Sequence, residues 1–242
     1  ILNNNYNSVS IEITFGGFVA LALKDVQIVI TGAEVNITVN NKKFNANEII
    51  NLKIKDKISI AYAKKGMRIY LAILNGFHSN NLFNSGSVDS HNNIGKILKK
   101  NDVLYSEDDN LITKKRYIAK EFIKKYDEKI INLRVLIDNN FFAKDDIDYF
   151  LNHTFTISAK NNRVAYQLQE CAINFKNEKN YSKANNYGSV QITPSGIPII
   201  MSKDAPTIGG YPTIATVFSL DMSKLAQYGK NTRVKFRKIT IK

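Results

Sequence analysis

The 242-residue chain carries one cysteine, four prolines and no tryptophan. A lone thiol, Cys171, excludes an intramolecular disulfide framework, so burial and hydrogen bonding must hold the fold, and it points only weakly to a reducing compartment. Long apolar runs are lacking too. The longest candidate, Phe18 to Leu23, is interrupted by Lys24 and Asp25, far short of the roughly 20 residues that cross a bilayer as a helix. No basic, apolar, small-residue leader opens the sequence, which starts on Ile1, and the numbering is expected to begin inside a longer polypeptide. Acidic residues are the minority, 21 against 34 basic, for a net charge of +13. Such an excess invites an anionic partner. Here, however, it is mostly lysine, scattered singly or in pairs such as Lys42-Lys43 and Lys99-Lys100, with arginine at isolated positions such as Arg68, Arg134 and Arg163. Arginine is the residue that forks phosphates and reads bases, and joint abundance of Lys, Asn and Ile is what AT-rich coding produces. Neither nucleic acid nor a membrane is expected as a partner.

Familiar catalytic signatures are missing as well. The sequence has no Gly-x-Gly-x-x-Gly, no Gly-x4-Gly-Lys-Ser/Thr, no Gly-x-Ser-x-Gly and no His-Glu-x-x-His. His78, His91 and His153 are far apart, with no cysteine or acid at ligand spacing, so no metal site is expected.

What is present is a globular composition, 44% hydrophobic and 23% charged, patterned mostly with a period of two. Val9, Ile11 and Ile13 alternate with polar residues, as do Val35, Ile37 and Val39. Asn40-Asn41 then offers a left-handed turn before Lys42 to Phe44 returns as a second strand. Ile58 to Tyr62 and Met67 to Leu74 read as another pair joined through Lys64-Lys65-Gly66. From Lys96 to Lys144 the composition turns charged, including Glu107-Asp108-Asp109 and Lys114-Lys115-Arg116, and reads as a connection between two lobes. The expected division is 1–110 and 111–242. A short helix is expected from Asp145-Asp146, with Ile147, Phe150 and Leu151 on one side, and another over Met222 to Tyr228. In the last strand Val234 and Phe236 are out of phase with Ile239 and Ile241, which predicts a bulge near Arg237-Lys238. The fold class is mainly β in two lobes, with few short helices.

All four prolines fall in one segment, Gly188 to Pro212. Pro194-Ser195-Gly196 supplies a tight turn between strands at Gln191-Ile192 and Ile197 to Met201, and Gly209-Gly210 permits backbone approaches that side chains forbid. Asp204, Thr207 and Tyr211 lie on irregular chain held between strands, where binding groups are commonly placed. On residues alone, the segment is either a ligand-facing loop or an elaborate structural turn.

The same segment resembles the C-type component of bacterial ATP-dependent 5-oxoprolinase, a family also called allophanate hydrolase subunit 2. That family is related to the Kip-antagonist protein and to the carboxyltransferase domain of urea amidolyase. Gly188, Gln191, Pro194, Gly196 and Pro198, then Asp204, Thr207, Gly209, Gly210, Tyr211 and Pro212, then Asp221, Ala226 and Gln227 fall on its motif. Weaker likeness runs through Thr31-Gly32-Ala33, Gly66 to Ala72, Ser85-Gly86-Ser87 and Asn162 to Tyr166. The chain departs from the pattern at Asn75-Gly76, Gln167, Ile197 and Pro206, and the family's opening segment is absent.

The resemblance implies a cyclophilin-like β-barrel architecture and a cytoplasmic enzyme component working beside B-type (Kip-inhibitor-like) and A-type partners. It implies ATP with magnesium at a site shared with those partners, and a small lactam substrate, 5-oxoproline, cleaved to glutamate. The residues expected to carry catalysis are Arg163, for anion contact, Asp204, for loop capping, magnesium or proton handling, and Tyr211. Gln191, Ser195, Thr207, Gly209, Gly210, Tyr166 and Arg68 are expected to bind substrate. Two alternatives stay open: a carboxyltransferase-like component accepting a biotin or urea-like amide, and a non-catalytic regulator that binds a B-type partner or a kinase inhibitor.

Overall fold

Strands of period two bury alternate residues and leave the others to solvent, so each sheet needs a second apolar layer to cover one face. The chain meets that need twice, in two compact units, Ile1–Asp127 and Glu128–Lys242; the division expected from composition fell at 110/111. The computed structural model describes the chain except residues 80, 81, 83, 84, 90, 91, 107–110, 113, 115, 139, 170–172, 174–181, 241 and 242. His91, Cys171 and the acidic run Glu107-Asp108-Asp109 therefore lie outside the described residues.

The first unit holds β1 (Ile11–Thr14), β2 (Phe18–Leu21), β3 (Val26–Glu34), β4 (Ile37–Val39), β5 (Lys42–Phe44), β6 (Ile50–Leu52), β7 (Lys57–Ile60) and β8 (Lys65–Ile73). They form two four-stranded sheets, ordered β1-β8-β3-β6 and β2-β7-β4-β5. Ile13, Ile30 and Ile69 from one sheet and Ile37, Ile58 and Ile60 from the other share a single buried cluster. The β4–β5 hairpin forms as the residues predict: Val39 pairs with Lys42, and Asn40 and Asn41 take φ of 47° and 69°. The second expected pair does not form. β7 pairs with β2 and β4, whereas β8 pairs with β1 and β3. Both strands alternate toward the same core, but from opposite sheets, and Lys64-Lys65-Gly66 carries the chain across; period alone does not separate that arrangement from a hairpin.

The second unit holds β9 (Ile130–Ile137), α1 (Lys144–Asn152), β10 (Thr154–Ile157), β11 (Ala165–Gln169), β12 (Lys183–Ala184), β13 (Ser189–Ile192), β14 (Pro198–Met201), β15 (Ile208–Gly209), β16 (Thr213–Val217), α2 (Ser219–Leu225) and β17 (Arg233–Lys238). Seven strands close into a barrel, β10-β11-β14-β13-β16-β9-β17, so the chain is mainly β as expected. All pairs are antiparallel except β17 with β9. Closure removes every sheet edge. Leu133, Val135, Phe155, Ile157, Leu168, Val190, Ile192, Ile200, Val234 and Phe236 are buried to 1% exposure or less. Phe150 of α1 is fully buried too, stacked on Phe236 with centroids 4.3 Å apart.

α2 begins three residues before its predicted start at Met222. The predicted bulge is absent: β17 keeps unbroken parallel register with β9 from Arg233↔Ile130 to Lys238↔Val135. The strand ends before Ile239 instead, which resolves the phase conflict. A bulge does occur elsewhere, between Val190 and Gln191 of β13 against β16.

Candidate functional site

The proline-rich segment is built around β13. Val190 and Ile192 face the barrel interior, so Gln191 points outward, yet it is only 3% exposed. A two-stranded ribbon covers it: β12 pairs with β15 through Lys183↔Gly209 and Ala184↔Ile208. Asn185, just past β12, ties the cover down. Its Oδ1 accepts from Gln191 Nε2 at 2.5 Å, its Nδ2 donates to the Pro206 carbonyl at 2.8 Å, and its backbone N–H donates to the Thr207 carbonyl at 2.9 Å. A Cβ on Gly209 would stand 2.5 Å from Asn185 Oδ1 and 2.8 Å from Gln191 Nε2, which is the physical reason for glycine there. Asn185 carries no signal in the sequence, where it sits in a polar Lys-Ala-Asn-Asn stretch.

The turn from β13 to β14 forms as predicted. Gly196 N–H donates to the Thr193 carbonyl at 2.8 Å, and Gly196 takes φ of 78°. Ser195 is exposed at this turn, its hydroxyl 3.0 Å from that of Thr193. Tyr211, 41% exposed, lies at the same end of the barrel, because the Pro212 carbonyl accepts from Ile192 N–H at 3.0 Å and Thr213 opposes Gln191. Thr207 and Gly210 are exposed along the same loop. Asp138, at the end of β9, donates its N–H to the Ile214 carbonyl and accepts from Lys183 Nζ at 2.9 Å, bracing the ribbon from the side.

Arg163 and Asp204 lie at the opposite end, where Ala165 opposes Met201. They grip each other: Arg163 Nε donates to Asp204 Oδ2 at 2.8 Å, its Nη2 to Oδ1 at 3.2 Å, and Asp204 N–H to the Arg163 carbonyl at 3.0 Å. The forked pair closes the loop between β14 and β15 onto the start of β11 and compensates both charges. The three residues expected to act together are thus split, Arg163 with Asp204 at one end of the barrel and Tyr211 with Ser195 at the other. Tyr166 is 4% exposed and alternates with outward residues of β11, which makes it part of the barrel lining. Beside it, Tyr187 carries Lys203 Nζ 4.2 Å above its ring, and burial, then Tyr166, pushes the Tyr187 phenol up.

Arg68 belongs to the first unit. Opposite Thr14 on β1, it donates to the Thr14 hydroxyl and lies 3.4 Å from Glu12, whose other oxygen accepts from Tyr70 at 3.2 Å. Asp221, a motif residue with no role assigned from sequence, accepts from Arg134 three times, from backbone N–H at 2.7 Å, Nε at 2.9 Å and Nη2 at 2.8 Å. Burial pushes this carboxyl up, and the Arg134 donors more than offset it, leaving it below the usual carboxylate range. Asp221 therefore fastens α2 to β9.

Chemically, the loop face presents neutral hydroxyls and backbone, suited to hydrogen bonding an uncharged polar ligand. No group of three or more His, Cys, Asp or Glu among the described residues could hold a metal ion. With no phosphate-cradling glycine motif in the sequence either, this chain's described residues do not fit a self-contained magnesium–nucleotide site.

Barrel and loop together define a carboxyltransferase-type domain. The family description "Carboxyltransferase domain, subdomain A and B" matches residues 1–238, and the chain belongs to that family. It is 29% identical over 246 residues to the C-type component of 5-oxoprolinase from Haemophilus influenzae, covering all of this chain and 78% of that protein. It is 23% identical over 267 residues to urea amidolyase of Lachancea kluyveri, covering 98% of this chain and 14% of that one. Among solved structures, the urea carboxylase of Kluyveromyces lactis superposes with a TM-score of 0.90 at 22% identity, over 98% of this chain and 23% of the other. The chain thus spans about a quarter of that solved enzyme. No helix among the described residues is long and apolar enough to cross a membrane.

Proposed function

We propose that this chain is the C-type component of an ATP-dependent 5-oxoprolinase, cleaving 5-oxoproline to glutamate together with A-type and B-type partners. The observation that carries this reading is the 29% identity to a 5-oxoprolinase C-type component across the whole of this chain. The geometry agrees with it in kind. A lactam is neutral, with one N–H donor and one carbonyl acceptor, and the exposed Ser195, Thr207, Gly210 and Tyr211 offer neutral partners of both sorts. Arg163, already compensated by Asp204, is suited to holding the loop while leaving little net charge for the substrate carboxylate. The nucleotide is assigned to the partner proteins, or to a site completed by them, because the residues described here build none.

A second reading, a carboxyltransferase-like component that takes a biotin ring or urea-like amide, is favoured by the family match and by the fold shared with urea carboxylase. Both substrates present a ring or planar amide, so the same neutral loop serves either. The deciding experiment is ADP release by the chain co-expressed with its B-type partner and supplied with the A-type partner, ATP and magnesium. Stimulation by 5-oxoproline establishes the first reading. A complex that assembles without that stimulation sinks it, and transfer of carboxylate from carboxybiotin then supports the second.

A further inference from the structure

On the outer face of the barrel, β17 presents a row of cations. Val234 and Phe236 point inward, so Arg233, Lys235 and Arg237 share the outward side, about 7 Å apart along the strand. The neighbouring strands add no acid to that face. On β10, Thr156 opposes Arg233 and Thr154 opposes Lys235. On β9, Asn132 stands beside Lys235, and Arg134 directly beside Arg237. Like charges in directly paired positions oppose folding by a few tenths of a kcal/mol or more. Arg134 is compensated by Asp221, and Arg237 Nε donates to Asn132 Oδ1 at 2.9 Å. Among the described residues no carboxylate pairs with Arg233, Lys235 or Arg237. AT-rich coding explains scattered lysines. It does not explain why three of the chain's six arginines meet on two adjacent strands.

The cationic row abuts an apolar edge. Leu136, the next outward residue of β9, is 36% exposed, Phe218 lies 4.6 Å beneath the Arg134 guanidinium, and Leu220 opens α2 at 61% exposure. Arginines beside aromatic and aliphatic side chains are the composition of protein interfaces. A phosphate backbone would satisfy the cations and leave Leu136 and Leu220 wet. A polypeptide carrying both carboxylates and apolar side chains covers both halves, and guanidinium groups fork carboxylates with defined geometry. We infer that the outer face of β10, β17 and β9, with the start of α2, is a docking surface for an acidic, partly apolar polypeptide segment of a partner protein.

The test uses the full chain and a fluorescein-labelled peptide of mixed Glu, Asp, Leu and Phe, followed by anisotropy. An RNA oligonucleotide and phosphatidylserine vesicles run in parallel. R233E/R237E is compared with K42E/K43E, which changes the net charge equally but lies on the exposed β5 hairpin of the other unit. The peptide is expected to bind wild type and K42E/K43E alike, to weaken with salt, and to lose about tenfold or more in affinity for R233E/R237E. R233E/R237E is expected to keep or raise the thermal midpoint, because it removes like-charge contacts. No peptide binding, equal weakening in both variants, or preference for RNA or vesicles overturns the proposal. So does a marked loss of thermal stability in R233E/R237E, which would assign the row to folding.

Discussion

Gly209 shows how little space the ribbon leaves. A methyl group there meets two amide side chains that are themselves fixed by three hydrogen bonds, so neither gives way cheaply. G209A is expected to destabilise the second unit by about 1–3 kcal/mol, read as a thermal midpoint several degrees lower. An unchanged midpoint would mean that Asn185 is not held as described. Asp221 makes a pH-dependent prediction. Its folded-state pKa lies below the unfolded value, so its contribution is present above that unfolded value and is lost as pH falls through the folded one. Wild type should therefore lose thermal stability between roughly pH 5 and pH 2 more steeply than D221N, which has no such proton to gain. Equal slopes would show that the Arg134 contacts do not persist in solution. Both residues sit in the motif, but their roles differ from what a motif suggests: one clears room for an amide network and the other anchors a helix.

At the scale of elements, what could be read in advance was whatever local chemistry settles. The Asn40-Asn41 hairpin and the Pro194-Ser195-Gly196 turn formed because two or three residues fix the backbone sign at each. α1 formed on its Ile147, Phe150 and Leu151 stripe. The partner of β8, the ribbon over Gln191 and the meeting of Arg163 with Asp204 were not legible, because each depends on residues distant in the chain that carry no complementary pattern. Nothing in Lys183-Ala184-Asn185 marks it as a lid for β13. α1 also makes a prediction of its own. Phe150 is wholly buried against Phe236 and lies 5.8 Å from Phe155, so the short helix acts through one ring that packs on barrel-lining residues. F150A is expected to remove about 3–5 kcal/mol, whereas Y149A, changing an exposed neighbour, should cost under about 1 kcal/mol. Denaturant midpoints for the two variants would separate them. A similar loss in both would place the contribution in helix formation rather than in the packed ring.

At the scale of the whole molecule, each unit satisfies its own burial. The first closes its core with two sheets facing one another. The second has no sheet edge in its barrel, and its parallel closure of β17 on β9 joins the two ends of the unit, so every strand between them is enclosed by contacts made within Glu128–Lys242. A closed barrel of about 115 residues lies in the size range of autonomous domains. Residues 128–242 expressed alone are therefore expected to fold, with one cooperative thermal transition and the near-ultraviolet dichroism of packed tyrosines and phenylalanines. Because the closing pair is long-range, folding should be slow for the size, in milliseconds to seconds. The same fragment also tests where the docking face resides. If it folds and R233E/R237E still abolishes acidic-peptide binding within it, the docking face belongs to the barrel alone. A fragment that stays unfolded, with no cooperative transition, would show that the barrel depends on the first unit and that the two compact halves are one folding unit.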